Sequence, residues 1–479
     1  MDPRGWLIGV GLVAAAVPAC LPPLKVSLRP APGVASEPAL PPASLVKAPP
    51  PAENAPPPIR FLMYGDAGTG DAIQMSVAAR MGELVSASPL PVPFALVVGD
   101  NIYPAGASSA DDPSFAEKFE KPYAPLISAG VVFYTVLGNH DVYTLDGQAE
   151  LDYARRVQAA AALAQRPRPG WYMPDRSYKV ARQEGGGIAV FALDSSHESI
   201  DVSQLSWLAR ELPAQTARWK VVFAHHPVYS TGSHGDTPNF PERLAPVLET
   251  GGAHFYFSGH DHNFDHLAPV QGVNYFLTGG AGKVRADRSV SRNSSLFFLA
   301  EPHFMYVEGT ADWLHLSVIN DQGERRYSSV VQHPSILAAR PITWCGMEAP
   351  PERRSWAKSL GMRTTLPAYA TKVLVDGVTE VAGAGDRITV ELGVGPWGAN
   401  PLAPTSGYRF VPARFEQDAA SFDVYTANVP ADLALGAYQI VFRARFGDGA
   451  WIYCDRASDN QGGSTDGISS HELPALYVE

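Results

Sequence analysis

The chain has 479 residues, with 48 acidic against 37 basic side chains and a formal net charge of −11. That length can bury a large core and hold more than one domain. The acidic balance argues against nucleic-acid binding through a basic face, and no run of like charge is long enough to serve as an interaction tail.

The first element is an apolar run, "WLIGVGLVAAAV" (Trp6 to Val17), preceded by Arg4. It is too short to span a bilayer and has the make-up of a signal-peptide core. The run ends in "VPAC", where small residues before Cys20 resemble the lipobox of bacterial lipoproteins. Residues 1–20 are therefore expected to be a leader, with lipid attached at Cys20 or ordinary cleavage nearby as the alternative. One lipidated cysteine would tether the protein to a membrane without making it integral. The expectation is an exported protein, anchored in the periplasm or at the cell surface, or secreted. If lipid takes Cys20, then Cys345 and Cys454 can pair in an oxidising compartment, with two buried thiols as the alternative. Neither has the CxxC spacing of a zinc or redox site.

Residues 21–58, including "APPPAENAPPP", are too poor in core-forming side chains to fold and read as an extended spacer. Over 59–335 the texture changes. Apolar runs of strand length recur, each closing on a polar cluster: "IRFLMYGD", "FALVVGD", "VVFYTVLGNHD", "GIAVFALDSS", "WKVVFAHHPV", "AHFYFSGHDH" and "VNYFLTGG". Continuous apolar runs suit strands covered on both faces. Helical patterns such as "AIQMSVAARMGELVSA" and "VSQLSWLARELPA" lie between them, so an α/β layered domain is expected. "WLHLSVINDQGERRYSSVV" reads as a closing hairpin. Residues 336–365 read as a linker. From 366 to 479 short alternating strands ("TKVLVDG", "DRITVELGV", "SFDVYTANV", "GAYQIVFRARF") predict an all-β sandwich, whose partner the sequence leaves unknown.

Ligands of such sheets gather where strands end. There the chain places Asp66, Asp100, Tyr103, Asn139, His140, His225, His260 and His262. Any one could be a turn or cap residue. Five clusters at successive strand ends point instead to one site. Carboxylate, phenol, amide oxygen and imidazole suit hard or borderline cations, and no thiolate competes.

The set GDxG, GDxxY, GNHD, a histidine at a strand end and GHxH resembles the metallophosphoesterases. Tyr103 in "GDNIY" narrows the resemblance to the purple acid phosphatases, and "AHHPVYSTGSHG" and "GHDHN" to their tartrate-resistant type. The resemblance implies a four-layer α/ββ/α fold for the first domain. It implies Fe(III) on Asp66, Asp100, Tyr103 and His262, and a divalent Fe, Zn or Mn on Asp100, Asn139, His225 and His260, with Asp100 bridging. His140 and His234 would be the catalytic histidines. His226 is given no metal, while Asp261 and Asn263 either orient ligands or satisfy their loop. The implied reaction is hydrolysis of a phosphate monoester by a metal-bound hydroxide, on a small phosphate-ester substrate. A phosphodiesterase or nucleotide hydrolase on the same core is one alternative. A surface-anchored binding protein working through the sandwich is the other.

Overall fold

Ile59–Tyr64 (β1) places six consecutive residues in the interior, as its unbroken apolar pattern predicts. Phe94–Val97 (β2), Val132–Thr135 (β3) and the short Trp171–Tyr172 (β4) pair beside it in parallel. The computed structural model describes residues 58–478, apart from 164–169, 185–186, 336–341, 348–352, 357–365, 386, 456–467 and 471–472. The expected leader, Cys20 and all but the last residue of the proline-rich spacer lie outside the described residues.

A second sheet is built from Tyr178–Arg182 (β5), Ile188–Ala192 (β6), Trp219–Phe223 (β7), Phe255–Ser258 (β8), Phe264–Val270 (β9), Val273–Thr278 (β10) and Ser295–Leu299 (β11). Its order is β11-β9-β10-β8-β7-β6-β5, with β6, β7, β8 and β10 parallel. The chain then returns to the first sheet as His303–Gly309 (β12), Trp313–Asn320 (β13) and Arg325–Gln332 (β14), antiparallel outward from β1. The last two are the expected hairpin.

The period-2 alternation of β6 separates two cores. Ile188, Val190 and Ala192 join the core shared with the first sheet, whereas Ala189 and Phe191 pack with Leu208, Leu212 and Leu248 of outer helices Val202–Ala214 and Ala245–Gly251. On the first sheet's outer side, helix Ala72–Ala87 contributes Val77, Ala78 and Met81. The result is the α/ββ/α layering. Asp71 and Asp201 cap these two long helices by accepting from backbone N–H groups of their first turns, as cap residues do.

The C-terminal region is rich in strands. Trp344–Met347 (β15), Arg353–Trp356 (β16), Ala368–Leu374 (β17), Ile388–Pro396 (β18), Arg409–Pro412 (β19), Arg414–Ala419 (β20), Phe422–Asn428 (β21), Gly436–Phe446 (β22), Ile452–Cys454 (β23), Ile468–Ser469 (β24) and Ala475–Val478 (β25) follow in order. They form a four-stranded sheet (β15-β17-β21-β20) and a second of β16-β25-β22-β18-β19 with β23 on β22. Cys345 on β15 and Cys454 on β23 form a disulfide joining the two sheets, with Cα atoms 5.2 Å apart.

Two boundaries differ from the sequence reading. The expected linker contributes β15 and β16, each four residues long and too short to show a period; their register comes from β17 and β25. Nor is the sandwich separate. Its β24 adds to the open edge of the first sheet beside β14, pairing Val330 with Ile468. Val330, Val441, Tyr453, Ile468 and Leu473 bury a small core across this junction, and Arg325 Nη1 donates to Gly398 O at 2.7 Å. An edge strand with free N–H and C=O groups invites such pairing, which hydropathy along the chain does not report.

Candidate metal centre

The parallel strands of both sheets end on one side, and each releases a polar turn there. Asp66 follows β1, Asp100 and Tyr103 follow β2, and Asn139 and His140 follow β3. From the second sheet His225 follows β7, and His260 and His262 follow β8. All seven residues expected to bind metal meet, in two groups.

In one group, Tyr103 Oη lies 3.2 Å from Asp66 Oδ1 and 3.2 Å from His262 Nε2, with His262 Nε2 3.6 Å from Asp66 Oδ1. In the other, Asn139 Oδ1 lies 3.0 Å from His225 Nε2 and 3.1 Å from His260 Nδ1. Asp100 Oδ1 is 3.5 Å from His225 Nε2, and Asp66, Asp100 and His225 offer atoms within 4.8 Å of one another, so Asp100 stands between the groups. Donors held about 2.1 Å from one cation sit roughly 3.0–3.4 Å apart, which is close to these separations.

The electrostatics favour the same occupant. Burial, then the Asp100 charge, pushes the Asp66 carboxyl well up. Burial, then Asp66 and Asp100, raises the Tyr103 phenol. Burial likewise lowers His225 and His260, and His262 to about 3, so the three imidazoles stay neutral with lone pairs to offer. A raised Asp66 carboxyl, a raised phenol and neutral imidazoles, buried or half-buried together, are relieved by positive charge. The donor set fits a dinuclear centre.

The glycines of these motifs have a steric cause. Gly99 has φ +90°, and a Cβ there would sit 2.7 Å from His225 Nδ1; at Gly138 it would sit 2.1 Å from Asp100 Oδ1. Asp66, Asp100 and His260 themselves have positive φ of 57°, 52° and 71°, the sparsely populated backbone that gathers at functional sites. His225 Nδ1 donates to Val98 O at 2.8 Å, which fixes the tautomer that leaves Nε2 to the site.

The expected catalytic histidines flank this centre. The His140 ring lies 4.5 Å from that of Tyr103; the His140 backbone N–H donates to Asp100 Oδ1 and the ring Nδ1 to Pro104 O. The His234 ring lies 4.3 Å from that of His260 and is exposed. Asp261 contacts no proposed ligand through its side chain: it accepts from Ser230 Oγ, Ser233 Oγ and the His234 N–H, holding the turn that carries His234. The Asn263 amide is buried and meets no hydrogen-bond partner among the described residues. His226, given no metal by the sequence reading, is buried against Ser195, with a nitrogen within 4.8 Å of those of His225 and His260.

Sequence reasoning missed Asp141, the last residue of "GNHD". Its carboxylate takes N–H donors from Asn101, Ile102 and Gly138 and from the Asn101 amide, all at 2.8–3.1 Å, so it ties the β2 and β3 turns together. Behind it Glu150 accepts from Ala107 N at 3.0 Å. Burial first, then the Glu150 and Asp100 charges, push Asp141 up against those donors, and burial pushes Glu150 up to about 7.

A carboxyl raised in the folded state contributes stability that is full below its unfolded value of 4.5 and lost as pH rises through about 7. Glu150→Gln imitates the protonated form. Its advantage over the wild type in thermal melts at fixed metal loading should therefore grow between those pH values, reaching roughly 3 kcal/mol above them. A melting difference that is the same about 2 units below and about 1 unit above neutrality would show that ionised Glu150 costs the fold nothing.

Residues 60–264 match the family model described as calcineurin-like phosphoesterase, which ends before the C-terminal sandwich begins. The chain is 32% identical to purple acid phosphatase 17 of Arabidopsis thaliana over 47% of its own length and 68% of that protein's. It is 30% identical to human tartrate-resistant acid phosphatase type 5 over 58% of its own length and 92% of that protein's. Among solved structures it is similar to one titled "GAP50 the anchor in the inner membrane complex of Plasmodium", at TM-score 0.49 and 20% identity over 57% of this chain and 87% of that one.

Proposed function

Because the chain belongs to the purple acid phosphatase family, with a calcineurin-like phosphoesterase domain, we propose that this phosphoester hydrolase acts on monoesters through Fe(III) and a divalent partner. The observation that carries the proposal is the pair of donor groups sharing Asp100, one of them containing a buried phenol. Asp66, Asp100, Tyr103 and His262 would hold Fe(III), and Asp100, Asn139, His225 and His260 a divalent Fe, Zn or Mn. When bound, the two cations neutralise phosphoryl oxygens and lower the pKa of water.

The protein's own groups do the rest. His140 is anchored by its backbone N–H on Asp100 and its ring Nδ1 on Pro104 O, which leaves Nε2, protonated in the imidazolium form, to deliver a proton to the leaving oxygen and end as neutral imidazole. His234, its backbone fixed by Asp261, would contact the phosphoryl group from the opposite flank. The protonated leaving group departs as an alcohol, so no charged alkoxide has to form.

His140→Ala and His234→Ala should keep both metals and lose roughly 10²–10⁴-fold in rate, the usual worth of a positioned acid or base. Loss of metal in either variant would mean that a ligand has been taken for an acid. The substrate class is tested by rates on a monoester and a diester: preference for the diester would replace the monoesterase reading with a phosphodiesterase. The Cys345–Cys454 disulfide supports an exported protein, the setting in which the leader-like N-terminus and a lipid anchor at Cys20 also make sense.

A further inference from the structure

After Thr278 at the end of β10, the chain runs past the segments that carry Asp66, His262 and His234, and is bonded to each. Gly279 N donates to Asn263 O at 2.9 Å, Ala281 N to Gly65 O at 3.3 Å, Arg285 N to His262 O at 2.8 Å and Ser289 N to Thr231 O at 2.9 Å. Ser289 Oγ adds a bond to Gly232 O at 2.6 Å. Loop 279–289 is thereby held in a constant relation to the metal donors.

Two cations of this loop reach opposite flanks of the site. Lys283 Nζ stands 3.5 Å from the centroid of the Tyr103 ring, and Arg285 Nη1 lies 3.0 Å from His234 Nε2. Two other surface arginines have acidic partners: Arg292 pairs with Glu242, and Arg176 with Asp146 and Asp194. Among the described residues no carboxylate forms an ion pair with Lys283 or Arg285. We propose that Lys283 and Arg285 form an anion subsite selecting phosphate esters whose leaving group carries a further acidic group, a carboxylate or a second phosphate.

The inference rests on the phosphatase reading above. The dinuclear centre and His234 already meet the charge of the transferred phosphoryl group. Two further cations on a loop pinned beside it, without an ion-paired carboxylate among the described residues, match a charge on the part of the substrate that leaves. Cations a few ångströms from such a group at a partly solvated rim are worth about tenfold or more, and salt should weaken them.

The test compares phenyl phosphate with 3-carboxyphenyl phosphate, whose leaving groups differ by one carboxylate, on the metal-loaded full chain. In Lys283→Gln/Arg285→Gln the ratio of kcat/KM, carboxyphenyl over phenyl, should fall by about tenfold or more, and the wild-type ratio should fall with added salt. Lys283→Arg/Arg285→Lys, which keeps both charges, should keep the ratio. An equal loss on both esters would assign the cations to the transferred phosphoryl group and overturn the proposal, as would no change on either. Collapse of the ratio in the charge-keeping variant would make the effect one of loop structure and overturn it too. Arg285 is exposed, so Arg285→Gln alone serves if the double variant does not fold. Calorimetric binding of phenylphosphonate and 3-carboxyphenylphosphonate gives the same ratio without turnover. A wild type that cleaves neither ester would sink the phosphatase reading, while this binding ratio would still decide the subsite.

Discussion

Asn139→Ala and His225→Ala will each lose the divalent metal and, with it, nearly all hydrolysis. Asn139 Oδ1 is the hub of its group, 3.0 Å from His225 Nε2 and 3.1 Å from His260 Nδ1, and His225 Nε2 reaches on to Asp100 Oδ1 at 3.5 Å. Removing either leaves three protein donors where four are assigned. Losing an outer partner of a metal ligand typically costs 10–100-fold, so losing the ligand itself should exceed about 100-fold in metal affinity or kcat/KM. The fold should survive, because the strands that carry both residues are buried on their own account. Metal analysis of the purified variants beside a phosphate-ester assay makes the measurement. Full metal content with near-normal turnover in either variant would remove it from the ligand set.

Tyr103→Phe will abolish the colour of the oxidised protein. Burial and the charges of Asp66 and Asp100 push the phenol far from ionisation, so a weakly charged ion would leave it protonated. Fe(III), hard and highly charged, would give the oxygen reason to ionise, and a phenolate on Fe(III) absorbs visible light by charge transfer from ligand to metal. The wild type, iron-loaded and oxidised, should therefore be pink to purple. Phenylalanine keeps the ring that packs 4.5 Å from His140, so the variant should remain folded while the band disappears. A colourless iron-loaded wild type would end the assignment of Tyr103 and of Fe(III) together.

Much of this protein is legible along the chain because its signals are local. The helix patterns "AIQMSVAARMGELVSA" and "VSQLSWLARELPA" are the helices Ala72–Ala87 and Val202–Ala214, each announced by an aspartate cap. The ligand types stand at strand ends, and three of them, Asp100, Asn139 and His260, follow a glycine whose absent side chain makes room for a neighbouring donor. The four-residue strands Trp344–Met347 and Arg353–Trp356 are different. They have no period of their own, and only their partners make them strands.

Order and residue type alone, then, determined the α/β character, the strand-end ligands and the family they resemble. Tertiary structure decided what those residues do to one another. It joined β24 to the first sheet, set Asp141 as the tie between two ligand turns, and brought Lys283 to Tyr103 and Arg285 to His234. The physical reason is range. Propensity, capping and hydrophobic period act over a few residues, whereas Asp66 and His260 meet across 194 positions, and Ser328 and Ser470 across 142. Such contacts exist only once buried strands have stacked, and no local pattern encodes them.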